Sequence, residues 1–338
     1  MWRRMVWAAA IALASAATPQ NITAGGATFP FPMYSKWFDE YHKRIPSIEI
    51  NYQSQGSGFG IQQVTAGLID FGASDGPMTD EEVSLFRAKR GFGILHFPAL
   101  LGANVPAYNL PGATHPLNFT PEALAGIFLG KITMWNDPAI TSVNPGTSFP
   151  NRTIIVVHRA DGSGTTYIWT DYLSTISKEW ESRVGRNKSV KWPIGLGGKG
   201  NEGVAGQIKQ IKYSLGYVEL TYALQTKMTY GRVRNSTGEF IAADLKSVSA
   251  AAAAASAQMP DDFRVSIVNA PGKGSYPISS FTWLLVPEKI ADAGKKRIIT
   301  ELLRWVLTEG QNSAAALSYA RLPQAMISKE LKLIGKIQ

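Results

Sequence analysis

Cysteine is absent from all 338 residues of this chain. No disulfide can hold it, so its stability must come from a buried core, which a chain of this length can supply. The same lack removes the residue on which a lipid could be attached behind a leader, so the mature chain is expected to be freely soluble. Charged residues are few, 17% against 45% hydrophobic, a balance that excludes intrinsic disorder. Beyond the N-terminal segment no apolar run is long enough to span a bilayer. His42, His96, His115 and His158 lack metal-ligand spacing and read as surface or packed residues. Lys and Arg outnumber Asp and Glu by 34 to 25, a formal charge of +9 that invites an anionic partner. Basic runs are short, "KR" at 43–44 and "KKR" at 295–297, with no interleaved aromatics. They read as solvated helix surface and argue against a nucleic-acid partner.

Familiar catalytic signatures are missing too. "GLGGKG" (195–200) fits the letters of G-x-G-x-x-G, but no clear strand enters it, so a dinucleotide site is not expected. Gly follows Lys199 where a P-loop needs Ser or Thr. Neither Ser57 nor Ser163 has glycine two residues before it, so there is no nucleophile elbow.

What is present begins with "MWRRMVWAAAIALASAATPQ". Arg3 and Arg4, an apolar run and Ala14-Ser15-Ala16 predict a secretory signal peptide over residues 1–16, cut after Ala16. Its loss removes two arginines and no acid, taking +9 to +7. Sequons at Asn21, Asn118, Asn151, Asn187 and Asn235 would matter only in a eukaryotic secretory pathway and are given no role. The length predicts two domains. Strand-like runs at 48–53, 93–101, 153–159 and 281–287 alternate with helical patterns, which predicts an α/β architecture with mainly parallel sheets. Core-facing stripes are expected at Tyr34, Trp37, Phe38 and Tyr41, at Ile61, Val64 and Leu68, and at Ile168, Tyr172 and Ile176. The alanine tract at 249–258 reads as a surface helix.

Three segments share one design: "GGATFPFPMYSKWF" (25–38), "QGSGFGIQQVTAGL" (55–68) and "RADGSGTTYIW" (159–169). Each runs from glycine through a hydroxyl residue into a helix. Unpaired backbone N–H groups and the helix dipole favour an anion at such a junction, and glycine lets the backbone approach it. One such loop alone would be ordinary capping. Three of them, one beside Arg159, point to a shared anion site. "DFGASDGPMTDEE" (70–82) adds Asp75, since Thr79 and Asp80 are better placed to cap the following helix. A carboxylate suits an anion site only if the anion brings a proton, and phosphate does so where fully ionised sulfate does not.

Together with "KWPIGLGGKGNEGVAGQIK", these motifs resemble the periplasmic phosphate-binding protein of the Pst-type ABC importer, over nearly the whole chain after the leader. The resemblance implies a two-lobed, type II periplasmic-binding-protein-like α/β fold with a ligand cleft between lobes joined by hinge strands. It implies lobe I from 17–106 and 281–338, lobe II from 107–280, and a monomer exported to the periplasm without a lipid anchor. Carried over by residue, the hydroxyl and N–H of Thr28 and the N–H of Phe29 donate to phosphate, as does Ser57. Asp75 accepts the phosphate proton. Arg159 donates while Asp161 fixes its guanidinium, and Ser163, Gly164 and Thr165 complete the shell. Phe59 stands where the family has a small residue, which puts a backbone donor at 59–60 in doubt, and 228–272 matches poorly. The implied partners are inorganic phosphate and separate permease and ATPase chains, with no cofactor. Two alternatives remain on the residues alone: a phosphatase-like enzyme using the same anion site, and a phosphate-binding scavenger without a permease.

Overall fold

The structure, a computed structural model, describes residues 20–255 and 259–338. The expected signal peptide and the end of the alanine tract lie outside them. Among the described residues nine strands share one sheet in the order β2-β1-β3-β12-β4-β8-β6-β7, with β9 also against β4. They are β1 (Gln20–Gly26), β2 (Ile48–Ser54), β3 (Phe71–Ser74), β4 (Ile94–Asn109), β6 (Ile155–Arg159), β7 (Leu196–Gly198), β8 (Ser214–Glu219), β9 (Thr229–Tyr230) and β12 (Ser279–Pro287). The short strands β5 (Asn118–Phe119), β10 (Arg232–Arg234) and β11 (Phe240–Ile241) form a second sheet.

β4 organises the two-lobed arrangement. Its residues 94–103 pair with β12 and its residues 104–109 with β8, so a single strand passes through both halves of the sheet. Both β4 and β12 are buried nearly throughout, in keeping with their largely apolar sequences. The expectation of mainly parallel sheets needs correction. β1 is parallel to β2 and β3, and β6 to β7 and β8, but β12 is antiparallel to both β3 and β4, and β4 to β8. The chain that leaves the first half along β4 returns along β12, so the seam must be antiparallel.

Most of the expected core stripes are buried. Tyr34, Trp37, Phe38 and Tyr41 line the inner face of the helix Phe31–Arg44. Leu68 does not belong to its stripe. The helix Ser57–Ala66 stops at Gly67, whose φ of 74° is left-handed, and Leu68 beyond it is 67% exposed. The alanine tract is not a wholly exposed helix either: within Leu245–Ala255, Val248, Ala251 and Ala252 are buried, and the helix packs against β4 and β12.

One buried group opposes the core. In the helix Gln324–Leu333 the buried stripe is Met326, Ile327, Glu330 and Leu333, and among the described residues neither carboxylate oxygen of Glu330 has a hydrogen-bond partner. Burial holds this carboxyl well above its ordinary 4.5. The folded state therefore retains a proton that the unfolded chain releases, so the contribution of Glu330 to stability is greatest below about pH 4.5 and is lost as pH rises toward the folded value. Replacing Glu330 by Leu is expected to add about 1–3 kcal/mol at pH 8 and less at pH 5. Thermal unfolding at both pH values checks this, and a gain that did not grow with pH would contradict it.

Candidate anion-binding site

The three glycine-hydroxyl junctions leave the carboxyl ends of β1, β2 and β6, and Asp75 directly follows β3. Such strand ends are where α/β sheets hold ligands. At the second junction Gly56 precedes the helix with φ of 101°, a conformation that glycine adopts without strain. At the third, Ser163 caps the helix Gly164–Ile176 by accepting from the N–H of Thr166 at 3.0 Å. A Cβ on Gly164 would run into Ser57 Oγ and Asp75, so only glycine lets the two halves meet here.

All nine residues expected from the sequence fall in one cluster, buried except for the partly exposed Asp161. Ser57 Oγ accepts from the N–H of Gly164 at 3.0 Å and of Asp75 at 3.1 Å, and donates to Asp75 Oδ2 at 3.4 Å. Arg159, only 2% exposed, grips Asp161 in a fork, Nε to Oδ1 at 2.8 Å and Nη2 to Oδ2 at 2.5 Å. Its Nη1 donates to Thr165 Oγ1 at 3.2 Å. Thr28 and Phe29 are anchored through their carbonyls, which accept from Tyr222 and Tyr319 hydroxyls at 2.6 Å each. Ser163 uses its hydroxyl as the cap and its N–H to reach Lys188 O at 2.8 Å. The doubt over 59–60 also finds an explanation: the N–H of Gly60 bonds within the helix to Gly56 O at 3.2 Å.

The two carboxylates differ electrostatically. Burial drives Asp75 up to about 7, against hydrogen bonds from Thr282 and Ser57 and the charge of Arg159, which favour the ionised form. Burial also acts to raise Asp161, but the hydrogen bond and charge of Arg159 overcome it and hold that carboxyl low. Near neutral pH the cluster thus has one fixed ion pair and one carboxyl poised to exchange a proton.

Several contributors were not assigned from the sequence. Thr282 donates to Asp75 Oδ1 at 2.9 Å from a point where the β12–β4 register shifts. Asn201 reaches Thr28 Oγ1 at 2.9 Å and Thr165 Oγ1 at 3.0 Å. Lys188 bonds Glu82 at 2.8 Å and Pro77 O at 3.1 Å. Asn201 lies in the quoted "GGKGNEG" motif, so its signal was present; Thr282 sits in a uniformly buried strand that offers none. A short strand, β7, does enter "GLGGKG", contrary to expectation, and the helix Gly200–Gln210 follows. That turn supplies the Gly200 N–H to Asp161 Oδ1 at 3.0 Å. His158 faces away from the cluster as expected, its ring stacked on Trp192 at 4.7 Å.

Two α/β lobes on a shared strand, with polar groups converging at the strand ends, define a periplasmic-binding-protein-like domain. Residues 13–309 match the family model described as a PBP superfamily domain. A phosphate-binding protein PstS of Pasteurella multocida is 44% identical over 311 residues, covering 92% of this chain and 88% of that protein. The chain belongs to the PstS family of phosphate-binding proteins. Among solved structures, a phosphate-binding protein from Stenotrophomonas maltophilia aligns with a TM-score of 0.71 at 18% identity, covering 93% of each chain. A putative phosphate ABC transporter substrate-binding protein with bound phosphate, from Clostridium perfringens, aligns with a TM-score of 0.65 at 15% identity, covering 90% of this chain and all of that one.

Proposed function

We propose that this protein captures inorganic phosphate outside the cytoplasm and delivers it to the permease and ATPase of an ABC importer, acting as a monomer exported to the periplasm without a lipid anchor. The observation that carries the reading is Asp75, a buried carboxylate set among donors and beside Arg159. A carboxylate there is useful only against an anion that has a hydrogen to give. Thr28, Phe29, Arg159, Ser163 and Thr165 supply donors, Gly164 and Ser57 add theirs by giving up the bonds that join Gly164 to Ser57 and Ser57 to Asp75, and Asp161 holds Arg159 in place. The names of the relatives support a binding protein over the phosphatase-like alternative.

Lobe I comprises 17–106 and 281–338 and lobe II 107–280, with the crossings inside β4 and near the start of β12. Contacts such as Gly58 N–H to Gly162 O at 2.8 Å and Lys188 to Glu82 then join the lobes. An anion touching both sides favours this closed arrangement, which the transporter would recognise. Among the described residues no helix is long and apolar enough to cross a membrane, in keeping with separate permease chains. Titration calorimetry on residues 17–338, freed of carried-over phosphate, is expected to show one-to-one phosphate binding and no sulfate signal. Binding of both anions or of neither would overturn the reading. Release of phosphate from a chromogenic ester would favour the enzyme instead.

A further inference from the structure

Asn201, at the start of the helix Gly200–Gln210, has no exposed surface. Its side chain meets three groups. One is the backbone N–H of Glu219, 2.9 Å away, which can only donate, so the Asn201 atom facing it must be the carbonyl Oδ1. That settles the amide orientation. The two hydrogens of Nδ2 then point at Thr28 Oγ1, 2.9 Å away, and Thr165 Oγ1, 3.0 Å away.

A hydroxyl oxygen has two positions at which it accepts and one hydrogen to donate. Thr28 Oγ1 accepts from Asn201 Nδ2 and from the Asn201 backbone N–H at 3.3 Å. Thr165 Oγ1 accepts from Asn201 Nδ2 and from Arg159 Nη1 at 3.2 Å. With both accepting positions filled, each hydroxyl has only its hydrogen left to offer. We propose that Asn201 is a positioning residue that makes the Thr28 and Thr165 hydroxyls obligate donors to the anion. The inference rests on the phosphate-receptor reading. Donors held in this polarity before the anion arrives need no reorientation when it binds. One amide sets both, although Thr28 follows β1 and Thr165 follows β6.

Aspartate at position 201 is nearly isosteric but can only accept, so both hydroxyls would turn their hydrogens toward it and away from the anion. It keeps the links and reverses their direction, a change that mere structural bridging would tolerate. The test measures phosphate affinity by calorimetry for the parent, N201A, N201D, T165V and N201A/T165V at one ionic strength, with anion-free melting temperatures. N201A is expected to weaken binding about tenfold or more, the equivalent of one well-placed hydrogen bond. N201D should weaken it further while melting close to the parent. On the T165V background, N201A should cost less than half its factor in the parent, because one of the hydroxyls it orients is gone. Affinity within twofold of the parent in N201A, or penalties that simply multiply in the double variant, would overturn the proposal alone. A parent chain that does not bind phosphate would overturn the receptor reading and this inference with it.

Discussion

Replacing Arg159 by alanine is expected to weaken phosphate binding by about two to three orders of magnitude, the usual cost of removing one member of a buried, hydrogen-bonded charge pair. Two effects add. The anion loses a buried cation, and Asp161 loses the forked partner that holds its carboxyl low. An uncompensated carboxylate is then left close to where an anion should sit. Removing both, in R159A/D161A, should therefore recover part of the loss. Lysine should restore little, since a point charge cannot grip Asp161 through two parallel hydrogen bonds. Calorimetric titration of the four proteins checks this. Affinity of R159A within tenfold of the parent would mean that the guanidinium serves the fold and not the anion.

Asp75→Asn should change what is bound more than how tightly phosphate is held. Against fully ionised sulfate the Asp75 carboxylate would present oxygen to oxygen with no hydrogen between, while its other oxygen is already engaged by Thr282. An amide can donate instead, so preference for phosphate over sulfate is expected to fall by about a hundredfold or more, the equivalent of roughly 3 kcal/mol. Paired titrations with both anions at pH 9, above the raised Asp75 value so that its carboxylate is ionised, measure it; a variant that rejects sulfate as the parent does would remove Asp75 from the selectivity argument. The substitution should also change anion-free stability. With its folded value raised from 3.8 to about 7, Asp75 favours the folded state most below about pH 4, and that contribution is lost as pH rises to 7. D75N should flatten this part of the pH–stability curve.

Much of this cluster was legible because its chemistry is local. A glycine, a hydroxyl and a helix start within a few residues are a pattern that one segment displays by itself, as at Ser57 and Ser163–Thr165. Arg159 and Asp161 lie two positions apart and find each other without help from the fold. Contacts made across the chain left no such trace. Asn201 is 173 residues from Thr28, and Thr282 is 207 from Asp75. Strand direction was hidden for another reason: a strand buried on both faces reads as the same apolar run whichever way its neighbour points. Leu68 shows the limit of periodicity, because the spacing continued past a glycine that ended the helix.

The course of β12 has a consequence for how the molecule comes into being. β12 lies between β3 and β4, yet it follows β4 in the chain by some 170 residues, from Asn109 to Ser279. Until Pro287 has been made and delivered, β3 and β4 each present an unsatisfied edge, the kind of template on which chains aggregate. Contacts so far apart in sequence make acquisition of the native state slow. A nascent or truncated chain ending before Ser279 would hold every loop of the anion cluster and still lack the strand that joins them.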